Sequence, residues 1–268
     1  MVNKLEMKLK IYQIDAFTDT VFKGNPAAVC PLNEWIADEK LLKIAAENNL
    51  AETAFYIPKG DTFEIRWFTP TTEVDLCGHA TLAAAFAISK CEGYTGSTIN
   101  FVSPRSGALP VTVQNSLFSL NFPVDTFVET ELKEELINTT SHKPIAAYKG
   151  KTDYMLVYKT EEEISALKPN LSLIASLNAR GIIVTAAGKE HDFVSRFFAP
   201  AVGIIEDAVC GSAHTTLTPY WAKVLGKTEL SAFQLSERTG IVKCKLLGDR
   251  VELGGNAALY LTGEINIG

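Results

Sequence analysis

The chain has little cysteine: Cys30, Cys77, Cys91, Cys210 and Cys244 are the only five, an odd number, widely spaced and without a Cys-x-x-Cys pair. This excludes a disulfide framework and a zinc ribbon, and reduced thiols are expected. Basic blocks are also missing, with 25 Lys and Arg against 31 Asp and Glu for a net charge of −6, so the electrostatic footprint of a nucleic-acid binder is absent. The longest apolar run, around Ala80 to Ile88, is far shorter than the roughly 20 residues that cross a bilayer. No charged segment followed by an apolar run and a small-residue cleavage site opens the chain. A cytoplasmic protein with no nucleic-acid or membrane partner is expected. Residues 1–6 carry no functional weight, because Met7 precedes the first strand-like run. There is no G-x-G-x-x-G after a strand, no phosphate-binding loop, no His pair at metal-ligand spacing and no G-x-S-x-G elbow, which predicts chemistry with neither cofactor nor metal. What remains is the profile of an ordinary globular protein, 47% hydrophobic and 21% charged over 268 residues, long enough for two compact lobes.

Two segments repeat: RWFTP…CGHATL at 66–82 and RFFAP…CGSAHTTL at 196–217. Cys77 and Cys210, Gly78 and Gly211, Ala80 and Ala213, Arg105 and Arg238, and Gly107 and Gly240 are each 133 apart, close to half the chain. A shared offset held over about 30 residues reads as a tandem duplication. Two like-built domains follow, residues 1–123 and 124–268, with the seam in the polar stretch 124–144, whose ELKEEL core can form a surface helix.

Within each half, strands dominate around one apolar helix. KIYQIDAF, FEIRWF, LPVTV and LFSLNF in the first half, and YMLVY, GIIVTA, DFVSRFF, GIVKCKLL and RVELGG in the second, alternate or run apolar. Asn115-Ser116 and Gly248-Asp249 are the expected hairpin turns. A helix is predicted over 38–48 with Asp38 as N-cap. A second, over 78–90, has no polar face and must be enclosed on every side; its counterpart runs over 212–225 and stops before Gly226. The expected fold is therefore α/β (α+β), with two pseudo-symmetric domains, each a mixed barrel-like sheet wrapped around a central apolar helix.

Both central helices open just after Cys-Gly, which makes their N-termini the place for chemistry or anion binding. A thiol there sits at the positive end of the helix dipole, so its pKa is expected to fall. Cys77 and Cys210, facing one cleft from two lobes, would then form a two-base pair that moves a proton from one face of a carbon to the other. The alternative is that both are small buried apolar residues, as Cys30, Cys91 and Cys244 are expected to be. Glu52, in LAETAFYIP, is placed to act as a general acid or base, unless it is simply solvated. Asp207 either orients the entry loop of the second helix or contacts substrate. His79, in the first turn of the first helix, can donate to a carboxylate or shuttle a proton, or merely pack. Ser212 takes the matching place in the second half, where it can hold a ligand carboxylate or cap the helix. His214 is read as structural.

The segments IDAFTDTVFKGNPAAVC, AETAF, FTPTTEVDLCGHATLAAA and EDAVCGSAHTTLTPYW together resemble the signature segments of the phenazine-biosynthesis (PhzF-like) isomerase family, in the same order and over nearly the whole length. The resemblance implies the diaminopimelate epimerase-like fold, a homodimer and no cofactor. It implies that Glu52 is the catalytic acid/base, with His79, Asp207 and Ser212 at substrate-contacting positions. The expected reaction is a proton shift on a small carboxylate-bearing molecule in an interdomain cleft, where Ser212 and, by the helix N-terminus argument, the backbone N–H groups of Gly78 and Gly211 hold the anion. The sequence departs from the phenazine enzyme in carrying cysteine at both repeat-related sites, a pair that is similar to that of diaminopimelate epimerase, although Cys-Gly-His-Ala replaces that enzyme's own motif. Two other classes of function stand beside this one: a non-catalytic binding protein that kept the cleft, and a thiol-redox sensor in which the two cysteines pair.

Overall fold

The structure, a computed structural model, describes residues 7–268; residues 1–6, on which no functional expectation was placed, lie outside the described residues. The described chain forms two compact units, one of residues up to Asn121 together with Gly254–Gly268, the other of Phe122–Leu253. This corrects the expectation that everything from 124 to 268 makes one domain. The last strand, β17 (Ala257–Asn266), runs antiparallel to β1 (Lys8–Ala16) from Asn266 opposite Lys8 to Ala257 opposite Ala16. Ladder hydrogen bonds along the whole of β1 tie the C-terminal segment to the first unit, a closure between ends of the chain that local patterning does not reveal.

The first unit continues through β2 (Asn25–Pro31), α1 (Asp38–Asn48), β3 (Glu52–Lys59), β4 (Thr62–Phe68), β5 (Glu73–Val74), α2 (Gly78–Phe86), β6 (Thr98–Ser103), β7 (Gly107–Gln114) and β8 (Leu117–Pro123). The second holds β9 (Val128–Thr130), α3 (Glu134–Ile137), β10 (Ala146–Lys149), β11 (Asp153–Val157), α4 (Glu161–Ala166), α5 (Leu171–Ser176), β12 (Gly181–Ala187), β13 (Phe193–Phe198), α6 (Gly211–Leu225), β14 (Glu229–Gln234), β15 (Gly240–Leu247) and β16 (Arg250–Gly255). The two units share one pairing scheme. In the first, β1–β2 is antiparallel, β2–β3 parallel, β3–β4 antiparallel, β4–β6 parallel and β6–β7 antiparallel. In the second, β10–β11, β11–β12, β12–β13, β13–β14 and β14–β15 repeat that alternation. Side-chain devices repeat as well. Arg66 grips Glu73 through Nε and Nη2 and lies over Phe68, and Arg196 grips Glu206 in the same way and lies over Phe198.

Central strands are buried on both faces, which is why β3 and β12 read as continuous apolar runs rather than alternating ones. In the first unit α1 covers one face through Leu41, Ile44 and Ala45 against Cys30, Phe55, Ile57 and Phe68, while α2 packs against β1, β2 and β3. In the second, α4 and α5 bring Ile164, Leu167 and Ile174 onto Ile182, Val184 and Phe198, and α6 packs against β14 and β15.

Every residue of α2 from His79 to Ala85 is buried, as a helix without a polar face requires. The α-helix ends at Phe86 and passes into a π-helical turn, Ala87–Cys91, rather than running evenly to 90. α6 carries Pro219 in its interior; the missing N–H leaves the Thr215 carbonyl without its helical donor, and the Asp125 N–H donates to it instead at 3.2 Å. Asp38 is not the N-cap of α1: Ala37 holds that position, and the Asp38 carboxylate is drawn to Arg66 at 2.8 Å. Ser212 does not cap α6 either, because Cys210 is the N-cap and the helix starts at Gly211. Cys30 and Cys244 are buried as expected, whereas Cys91 at the end of the π turn is only half-buried and does not belong to the core.

Candidate active site

In the first unit the strand order brings four side chains to the start of α2. Asn25 opens β2 and Glu52 opens β3; these strands are parallel, with Ala27 opposite Glu52, so both openings lie at one end of the sheet. Cys77 is the extended N-cap of α2, with φ −140°, and His79 is in the first turn. The Thr81 hydroxyl donates to the Cys77 carbonyl at 2.6 Å and closes that turn. His79 Nε2 lies 3.2 Å from Glu52 Oε2. On the other side of the ring, His79 Nδ1 is 3.3 Å from Asn25 Nδ2 and 3.5 Å from Cys77 Sγ. Asn25, Cys77 and His79 are 1%, 6% and 7% exposed, so the cluster is nearly dry and its electrostatic interactions are correspondingly strong.

Burial pulls the His79 pKa down to about 4, so at neutral pH the imidazole is uncharged and its approach to Glu52 is a dipolar contact rather than an ion pair. The structure thus brings Glu52, Cys77 and His79 together. Sequence reasoning missed Asn25, although Gly24 before it gave a signal. Gly24 has φ +66°, and a Cβ there would meet the Ala16 carbonyl oxygen at 2.1 Å; this glycine lets the chain turn sharply from β1 into β2.

One ligand atom from each of Glu52, Cys77 and His79 falls within 4.8 Å of the others, a spread that a soft divalent cation can bridge. The ring edge facing Cys77 is already engaged, however, with Nδ1 taken up by the Asn25 amide and the Cys77 thiol. We read Asn25, Cys77 and His79 as a hydrogen-bonded array with the Glu52 carboxylate packed beside it.

The second unit holds Asp207, Cys210, Gly211, Ser212 and His214 around the start of α6. Gln234, fully buried, clamps the approach: its Nε2 donates to the Asp207 carbonyl at 2.7 Å and its Oε1 accepts from the Cys210 N–H at 2.9 Å. The Ser212 hydroxyl is 3.3 Å from Cys210 Sγ and accepts from Arg180 Nη2 at 2.9 Å. Arg180 is itself held by Asp153 and stacked over Phe197. Gln234, Arg180 and Asp153 were not legible here, because Gln234 and Arg180 reach the start of α6 from a distant strand and loop and Asp153 acts only by holding Arg180.

The expected fall in the thiol pKa is overturned at Cys210. Burial pushes this thiol well above its ordinary range and the Asp207 charge adds to the effect, while Arg180 and Ser212 pull weakly the other way. A helix N-terminus stabilises an anion by about 1 kcal/mol, less than one pKa unit, whereas full burial moves a group by roughly 3–5 units; burial wins. His214 is fully buried, donates from Nδ1 to the Cys210 carbonyl at 2.7 Å and is neutral, its pKa lowered to about 4 by burial.

The comparisons with known proteins give this fold as one of the isomerase and epimerase type. Residues 14–263 match the family described as phenazine biosynthesis-like protein (PhzC-PhzF), and the chain belongs to that family. A Pseudomonas aeruginosa protein named as an uncharacterized isomerase is 46% identical over 262 residues, covering 97% of this chain and all of its own. The crystal structure of a PhzF-family phenazine biosynthesis protein from Enterococcus faecalis superposes with a TM-score of 0.94 at 43% identity, covering 97% of this chain and 99% of that one. The fold extends to a "predicted epimerase" of Pseudomonas aeruginosa, with a TM-score of 0.71 at 17% identity over 96% of this chain and 99% of the other. The protein is a PhzF-family isomerase of α/β architecture, with few helices and a dominance of strands. No helix among the described residues is long and apolar enough to cross a membrane.

Proposed function

We propose that this isomerase moves a proton between carbons of a small carboxylate-bearing substrate without a cofactor, with Glu52 as the acid/base. The observation that carries the reading is the convergence of Glu52 and His79, 3.2 Å apart, in nearly dry surroundings at the start of α2. The Glu52 carboxylate takes a proton from a substrate carbon: the C–H bond breaks, an O–H bond forms, and the electron pair moves into the adjoining unsaturated system. The same group returns the proton to a different carbon or face, so composition is unchanged. His79 donates to the carboxylate while it is charged. Backbone N–H groups at Gly78 stabilise negative charge at the helix start. The family resemblance adds substrate contacts for Asp207, Gly211 and Ser212, and a homodimer, which sedimentation equilibrium tests.

The test is solvent-deuterium incorporation into a panel of amino acids and cyclic unsaturated acids. Wild-type protein is expected to exchange at least one, Glu52→Gln to lose that exchange, and exhaustive dialysis against a chelator to leave it unchanged. A two-thiol mechanism through Cys77 and Cys210 makes the opposite prediction: Cys77→Ser or Cys210→Ser abolishes exchange and Glu52→Gln keeps it. No exchange with any compound, together with tight capture of a ligand or protein partner, would favour a binding role.

A further inference from the structure

We propose that Asn25 is a positioning residue that fixes the tautomer of His79, placing the imidazole proton on Nε2 and leaving Glu52 and Cys77 each against a defined edge of the ring. The inference deepens the proposed function and rests on it for its catalytic consequence, but its structural content stands alone.

The amide nitrogen of Asn25 can only donate, and it points at His79 Nδ1 from 3.3 Å. A ring nitrogen that receives a hydrogen bond cannot carry a proton itself, and a neutral imidazole has one proton, so that proton is on Nε2. The Cys77 thiol approaches the same Nδ1 at 3.5 Å. With Nδ1 unprotonated, this contact is favourable only if sulfur supplies the hydrogen. The thiol, which also lies 4.0 Å from Nε2, fits either tautomer; the amide donor selects one, and the Nε2 that then carries the proton lies 3.2 Å from Glu52 Oε2. The two atoms are close but not aligned as a hydrogen bond, and such contacts often tighten only when substrate binds. Charge on the ring would not serve here, because burial holds the imidazole neutral down to about pH 4.

Three consequences follow. The Cys77 thiol faces the unprotonated ring nitrogen, an acceptor, at 3.5 Å. Glu52 faces the N–H edge of the ring rather than its lone pair. The side chain that decides both is neither of these: Asn25 is buried, fixed by the ladder of β2 and the sharp turn at Gly24.

The protein contains its own control. His214 has the opposite tautomer, because its Nδ1 faces a carbonyl oxygen, which can only accept. The chain has four histidines, few enough for complete assignment by long-range proton–nitrogen correlation spectroscopy on uniformly labelled protein. At pH 7 the expected spectrum shows His79 protonated at Nε2 alone and His214 at Nδ1 alone. A wild-type His79 protonated at Nδ1, or as imidazolium, overturns the proposal with no variant required. Asn25→Asp then replaces the donor by an acceptor of the same shape. Its His79 is expected to move its proton to Nδ1 or gain a second, with His214 unchanged as the indicator of an intact fold. A folded Asn25→Asp protein whose His79 stays neutral and protonated at Nε2 would remove control from Asn25. Failure of the functional reading looks different: Nε2 protonation as expected, with deuterium exchange undiminished in Glu52→Gln.

Discussion

Acidification should unfold this protein through its two buried imidazoles before most carboxylates titrate, and the size of the effect follows from burial. His79 and His214 titrate near 6.5 in an unfolded chain and are held to about 4 when folded. Between those values the unfolded state binds more protons, so stability rises with pH across the window and is progressively lost as pH falls from 6.5 toward 4. Between pH 7 and pH 5 the loss is about 2 kcal/mol for each histidine, or about 4 kcal/mol together, a large fraction of a typical folding free energy. The perturbation is His214→Gln, which removes the titrating group while retaining an amide able to donate to the Cys210 carbonyl. Urea unfolding at half-unit steps of pH should show the variant losing about 2 kcal/mol less than wild type over that range. Parallel curves for the two proteins would refute the reasoning, because they would mean that His214 is protonated in the fold or titrates identically in both states.

Two further outcomes follow from particular contacts. Arg196 grips Glu206 and also donates to the Ile164 and Leu167 carbonyls; Arg196→Met strands all three partners and should cost about 3 kcal/mol, read as a lowered melting temperature. Alkylation of the native protein should modify Cys91 first, because the other four cysteines are buried. Cys30 and Cys244, whose thiols burial pushes up to about 12, should react only on unfolding, as peptide mapping by mass spectrometry would show.

Much of the fold was legible because duplication writes the same physics twice. The 133-residue offset located both Cys-Gly helix starts, and the matched Arg66–Glu73 and Arg196–Glu206 grips show that the repeat is one of contacts as well as letters. The enclosed character of α2 followed from its composition alone. What stayed hidden depends on separation along the chain. β17 joins β1 across nearly the whole sequence, Arg180 reaches Ser212 from 32 residues away, and Asn25 meets His79 from 54 residues away. None of these leaves a periodic trace. Other features were misread because a local rule met a stronger tertiary effect: the helix dipole at Cys210 yields to burial, and the capping potential of Asp38 yields to Arg66. The capping box of Thr160 and Glu163 at the start of α4 was a local signal that was passed over.

The most direct test is a paired rate measurement on whichever acid the wild type labels with solvent deuterium. Removal of a general base typically slows a reaction by about 10²–10⁴-fold, so Glu52→Gln should fall into that range while Cys77→Ala keeps a readily measurable rate. The reverse pattern, with exchange intact in Glu52→Gln and lost in Cys77→Ala, would contradict the account.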